Sequence, residues 1–346
     1  MNHLITAVTL AITPVADDPT KVVVEATGVE GTDSMLTLRL VIEDQELLSP
    51  AMFGTTKMDG EDTIRFTPAV RLSRGKTYQA KLSPGKGAPV FADYSVPKLD
   101  APTPKLTRIF PTAQQLPANL LKFYLYFDQP MREGRAIFDQ FHIENDAGER
   151  VHAPWRRQEI WNEDARRLTL WIHPGRIKRG VNLREEFGPV LLPDREYTLV
   201  IDKAVRSADG EPLAEDIRHK FKTIAEDHER PLPETWTLTL PKAGTREPLR
   251  IKSPEPLDHA LIWIKTSILD PDGKPISAKI DVDEGESSWF IEPVEPWAAG
   301  EHQLRIDGTL EDLAGNTPIR VFDNDLTLPQ VEPAAESIPF TPKPKS

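Results

Sequence analysis

The 346 residues carry a net charge of −12, 33 prolines, 19 glycines and no cysteine, with 39% hydrophobic and 28% charged residues. The lack of cysteine excludes disulfides, thiolate metal sites and a cysteine nucleophile. The acidic balance argues against nucleic acid as the main partner, and no apolar run approaches the ~18 residues of a transmembrane segment. So many prolines stop segments before a long helix can grow, which points to an all-β chain of two or three domains.

The opening MNHLITAVTLAI has an apolar centre but neither a basic start nor a small-residue cleavage site, so it reads as a first strand and not as a signal peptide. Extended segments follow at KVVVEATGV, SMLTLRLVIE, DTIRFTP and KTYQAKL, each rich in β-branched or aromatic residues and bounded by turn formers. In LTLRLVI the alternation puts Leu36, Leu38, Leu40 and Ile42 on one face. The proline-stiffened SVPKLDAPTPKL then reads as a connector.

A second domain opens with LLKFYLYF, where Leu121, Phe123, Leu125 and Phe127 share the core face and Lys122, Tyr124 and Tyr126 the outer one. Strands are expected at QFHIEN, RLTLWIH, YTLVID and RHKFKT. AEDHERPLPE is the second connector, followed by strands WTLTLP, PLRIKS, HALIWIKTSIL, ISAKIDV, SSWFIEP and HQLRID. The proline-rich end, residues 329–346, lacks a strand pattern and is expected to be disordered.

An internal repeat ties these segments together. LLPDREYTLVIDKAVRSADG lies without a gap over PWAAGEHQLRIDGTLEDLAG, with Leu199 on Leu304, Ile201 on Ile306 and Asp202 on Asp307. TIRFTPAVRLSRGKTYQAKL is a weaker third copy. Each copy is preceded by a strand ending at proline: Pro68, Pro174 or Pro293. The spacing from that proline to the next strand shows an insertion of about fourteen residues in the second copy, at 175–191.

FDQPM at 127–131, LTLWIHP, LPDREYTLVI, SADGEPL and FKT, with EPLDHAL, WFIEP, AGEHQLRI and LEDLAGN further on, make the chain resemble the bacterial immunoglobulin-like domains of surface-layer and other cell-envelope proteins. The resemblance implies three tandem immunoglobulin-like β-sandwich domains at 1–100, 101–227 and 228–328. It also implies tyrosine corners at Tyr78 and Tyr197, with His302 in that place in the third. Its functional implication is a non-enzymatic structural or adhesive protein, extracytoplasmic, exported by a signal outside these residues. The fold itself carries no activity.

Candidate sites are few. Eight histidines include no H-x-x-x-H or H-x-H pair, so no metal site is expected from them. DPDG at 270–273 lacks the further carboxylates of a calcium loop and reads as a hairpin turn. Asp281, Asp283, Glu284 and Glu286 read as a solvated acidic loop, with calcium between domains as the alternative. Glu292 and Glu295 have nothing to orient them as a glycosidase pair, and no nucleophile elbow is present, so neither an enzyme nor a cofactor is expected.

The parity that buries Leu168, Leu170 and Ile172 turns Trp171 outward, beside Tyr124 and Tyr126. Large exposed aromatics call for a cover. The insertion, with Arg176, Lys178 and Arg179 among Ile177, Val181, Leu183 and Phe187, is the expected one; a neighbouring domain or an external ligand are the alternatives. If the cover is external, the ligand-binding residues are Trp171, Tyr124, Tyr126, Arg156, Arg157, Arg176, Lys178 and Arg179, and the partner a glycan or a cell-surface protein. The insertion's basic half could also meet the acidic third domain.

Overall fold

The structure, a computed structural model, describes residues 8–29, 34–41, 49–85, 87–98, 101–323 and 336–344. It forms two compact units, Met1–Ala101 and Pro102–Ser346, the second holding two sandwiches. Among the described residues no helix is long and apolar enough to cross a membrane.

In the first unit β1 (Thr9–Val15), β2 (Asp18–Thr27), β5 (Thr63–Pro68) and β4 (Gly54–Met58) make one sheet, in the order β1-β2-β5-β4. β3 (Met35–Leu40), β6 (Thr77–Ser83) and β7 (Val90–Ser95) make the other. Alternation supplies the core between them: Val22, Val24 and Ala26 from β2 face Leu36, Leu38, Ala80 and Leu82. Leu40 is half-buried, and Ile42 lies outside the described residues. The polar β4 and the mixed β7 carry too little apolar pattern to be read as strands from sequence.

The second sandwich repeats the plan. β8 (Leu106–Phe110), β10 (Lys122–Phe127), β13 (Arg167–Trp171) and β12 (Ile160–Trp161) form one sheet. β11 (Phe141–Glu144), β14 (Glu196–Ile201), β15 (Ile217–Ile224) and the short β9 (Gln115–Pro117), parallel to β15, form the other. Leu121, Phe123, Leu125, Phe127, Leu168, Leu170 and Ile172 are all buried, as their parity requires. The insertion folds into two short helices, α1 (Pro174–Ile177) and α2 (Asn182–Phe187), sealed to the core by Ile177, Val190 and Leu191.

In the third sandwich β16 (Thr237–Thr239), β17 (Leu249–Lys252), β20 (Ser288–Pro293) and β19 (Ala278–Val282) face β18 (Thr266–Leu269), β21 (His302–Ile306) and β22 (Glu336–Phe340). In all three, the first, second, fifth and fourth main strands pair in one sheet and the third, sixth and seventh in the other. This is the constant-type immunoglobulin arrangement.

Two tyrosine corners are formed. The backbone N–H of Ser73 donates to Tyr78 Oη, and that of Leu192 to Tyr197 Oη, each at 2.9 Å. His302 instead stacks on Phe340 and meets Trp297 edge-on, within the core.

Two expectations are corrected. HALIWIKTSIL is not one strand: α3 (His259–Lys265) precedes β18, because the Asp258 carboxylate accepts the Leu261 N–H at 3.0 Å and caps a helix there. The end of the chain is not wholly unstructured either. β22 pairs with β21 from His302↔Phe340 to Ile306↔Glu336, and Phe340 is 5% exposed. Pro339 is tolerated because β22 is a sheet edge. Phe340→Ala is therefore expected to cost about 3–5 kcal/mol in equilibrium unfolding. A change near zero would mean that residues 336–340 do not complete the third sandwich.

Candidate functional site

The second and third sandwiches meet on the outer face of β10. Side chains alternate along that strand, so Lys122, Tyr124 and Tyr126 point away from their own core, and pairing with β8 sets Phe110 beside Tyr124. Asp258 ends an extended run and starts α3, which lays His259 and Ala260 over this face: Ala260 packs with Phe110 and Tyr124, and the His259 ring stacks on that of Phe110.

The cap residue also ties the two sandwiches. Asp258 accepts Tyr124 Oη–H at 2.7 Å and the Lys122 ammonium at 3.1 Å, while Lys122 reaches Glu311 at 2.5 Å. Burial disfavours the Lys122 charge, yet the two carboxylates hold its pKa above the ordinary range. Burial and the Asp258 charge push the Tyr124 hydroxyl well up, so it stays a donor. Burial drives His259 down to about 4, leaving it neutral at pH 7.

Three further contacts complete the interface. The turn Asp312–Asn316 inserts Leu313 into the core of the second sandwich, where it is 8% exposed, and Leu121 N–H donates to the Leu313 carbonyl at 2.9 Å. Gly315 sits at φ +84 against Leu121, where a Cβ would lie 2.5 Å from the leucine, so only glycine fits. Glu286 is fully buried and accepts the Thr112 N–H at 2.9 Å and the Ala113 N–H at 3.4 Å. It is a clasp between modules, not part of a solvated acidic loop.

The third contact comes from the insertion. Arg179 and Arg184 both bind Glu226 in the connector, Arg179 N–H donates to Asp323 at 3.0 Å, and the Lys178 ammonium lies 4.7 Å from the centre of the Phe322 ring. Burial would raise Glu226, but hydrogen bonds from Arg184, Arg179 and His228 hold it at about 2.

Beside these contacts, Asp227 of the connector and Glu255 and Asp312 of the third sandwich bring one carboxylate oxygen each within 4.8 Å of one another. Asn119 clasps the Asp227 backbone in both directions, fixing the connector there. Burial and the Asp227 charge push Glu255 up to about 7, and the same two causes raise Asp312 well above the carboxylate range. Chemically such a group can share protons or surround a cation; it lacks the nucleophile or opposed acid–base pair of a hydrolase.

The residues expected at a ligand platform are in large part spent on this architecture. Tyr124 is buried under Asp258, and Tyr126 is half-buried, edge-on to Phe110 and His259. Arg176 is buried, donating to the carbonyls of Gly188, His152, Phe187 and Pro189. Lys178 and Arg179 reach the third sandwich. Trp171 is half-buried beneath the Arg156 guanidinium at 4.7 Å, and the neighbouring sandwich covers Tyr124. Arg157 is exposed and pairs with Asp139. Sequence reading missed Asp258, Glu311 and Leu313; the one available signal was the D-x-x-G-N turn carrying Leu313.

Fold and interface together define a chain of tandem immunoglobulin-like β-sandwiches. No protein-family model matches the chain, and no curated protein does. Among solved structures, the N-terminal part of the bacterial S-layer protein SbsC is similar over 63% of this chain and 43% of that one, at 15% identity and a TM-score of 0.26. The tetra-tandem repeat in the extending region of a large adhesion protein is similar over 97% and 74%, at 11% and 0.27. The FN1–FN3 domains of chicken CNTN1 are similar over 97% of both chains, at 10% and 0.24. Scores this low carry no argument, and the fold assignment rests on strand order.

The carboxylate trio makes stability depend on pH. Glu255 is raised from 4.5 to about 7, so its contribution is full below pH 4.5 and is lost as pH rises through about 7. Glu255→Gln is expected to reduce the fall in melting temperature between about pH 4.5 and 7, with Asp312 retaining part of it, and to leave the variant about 2–4 °C above wild type at the upper end. Parallel curves for the two proteins would count against it.

Proposed function

We propose that the chain is a non-enzymatic structural or adhesive protein of the cell envelope, extracytoplasmic, in which the second and third sandwiches act as one stiff span. The observation that carries this is the insertion of Leu313 from the third sandwich into the core of the second, a contact that resists bending. Ordinary tandem modules share small polar interfaces and move relative to one another. Here a core residue, a buried ion network and an insertion all cross the boundary, and the aromatic face that could have met a glycan is turned to joining modules.

A carbohydrate- or protein-binding role on the outer face of the second sandwich is the competing reading, and Arg156, Arg157 and the half-buried Trp171 are the contacts it would use that do not join the two sandwiches. The two separate in a thermal-shift panel of cell-surface sugars: the structural reading predicts unchanged melting, whereas a reproducible shift of several degrees with one sugar would favour the binding reading. The stiff span is tested by Leu313→Asp, which buries a charge in the neighbouring core. Wild type should unfold residues 102–344 in one transition and the variant in two. A single unaltered transition in the variant would remove the basis for the span.

A further inference from the structure

The three sandwiches repeat one edge strand in three versions. In the second it is β12, only Ile160–Trp161, too short to template pairing. In the third it is β19, which carries Lys279 and Asp281, paired at 3.6 Å. Short length and charge are the usual protections of a sheet edge against other chains. In the first unit the corresponding strand, β4, is longer than β12 and carries a single charge, Lys57, where β19 carries two.

β4 is Gly-Thr-Thr-Lys-Met, with every residue exposed, and no acidic residue lies between Ser49 and Met58. It is firmly seated: Gly54 approaches β5 so closely that a Cβ would lie 2.5 Å from the Phe66 ring and 2.4 Å from the Thr67 carbonyl. Apolar side chains stand open at both ends, Phe53 at 89% exposure and Met58 at 49%, with Val70 nearby at 64%. The opposite edge of the same sheet, β1, carries Pro14 and a register shift at Pro14/Val15, two devices that block strand addition.

The backbone of β4 is also set for pairing. Ala69 N–H donates to the Phe53 carbonyl and Asp59 N–H to that of Thr63, which turns the odd-numbered residues toward β5. Gly54, Thr56 and Met58 therefore direct their N–H and C=O groups outward. A two-fold axis through Thr56 would set Gly54 opposite Met58 and Thr55 opposite Lys57. Each outward residue then donates and accepts once, the Met58 side chain lies over the bare Gly54, and Lys57 never faces its own copy.

We propose that β4 is a homotypic docking edge, joining antiparallel to β4 of a second copy of this chain to make one continuous sheet across the two first units. The self-complementary placement of its only charge favours a second copy over a strand from another protein. This rests on the first unit alone and is independent of the span formed by the other two sandwiches.

Light scattering of the full chain after size exclusion tests it. Wild type should shift from monomer to dimer with rising concentration. Thr56→Lys and Thr56→Glu, which place like charges opposite each other at the axis, should each stay monomeric at the top of that range, and an equimolar mixture of the two should dimerise. Unchanged melting of the variants would show that the fold is intact. A wild type that stays monomeric throughout, the result expected if the edge takes a strand from another protein or none, would overturn the proposal. So would a dimer that persists in Thr56→Lys, or a mixture that fails to associate.

Discussion

Lys122 is withdrawn from water between Asp258 and Glu311, and that one desolvated cation constrains everything around it. A buried ammonium survives only if its partners are fixed, and here both partners come from the next sandwich. Removing one partner of such a buried pair costs about 3–5 kcal/mol, so the two sandwiches cannot rotate apart cheaply. The attraction itself contributes modest net stability. What it adds is a register: the Asp258 carboxylate, held in place as the cap of α3, pairs Lys122 and satisfies Tyr124 across the boundary.

Apolar contacts then fill in around that register. Leu313 enters the neighbouring core, Ala260 lies on Phe110 and Tyr124, and the Gly315 backbone rests on Leu121 at a distance no side chain would permit. The insertion in the second sandwich closes the far side, with Arg179 and Arg184 clamping the connector at Glu226. Generic strands thus build each module, and the departures from the generic plan build the joint. The first unit follows the same strand order but shows its individuality at an edge.

Much of the fold was legible because its physics is local. Strand parity placed Leu121 through Phe127 and Leu168 through Ile172 on their correct faces, and the ungapped repeat paired Leu199 with Leu304 and Ile201 with Ile306, all four fully buried. Where local signals compete, sequence reading fails. HALIWIK is a short continuous apolar run that reads like a strand, but the capping carboxylate and the face offered by β10 select a helix. ESIPF carries a proline and follows the proline-bearing QVEPAA, so nothing local marks it as the last strand; its partner β21 supplies the pairing. Parity also showed that Tyr124 points outward, but a cover is a tertiary fact, and no property of Tyr124 names Asp258 as its partner.

A fixed geometry between the second and third sandwiches is the centre of this account. The chain has no cysteine, so two introduced ones can be spin-labelled without background. Glu196→Cys and Glu301→Cys place labels at exposed positions, one on each sandwich. The dipolar distance distribution between them should be a single narrow peak that stays unchanged between low and high salt, because the pairing groups are buried. A broad distribution, or one that widens as salt is added, would contradict a fixed joint.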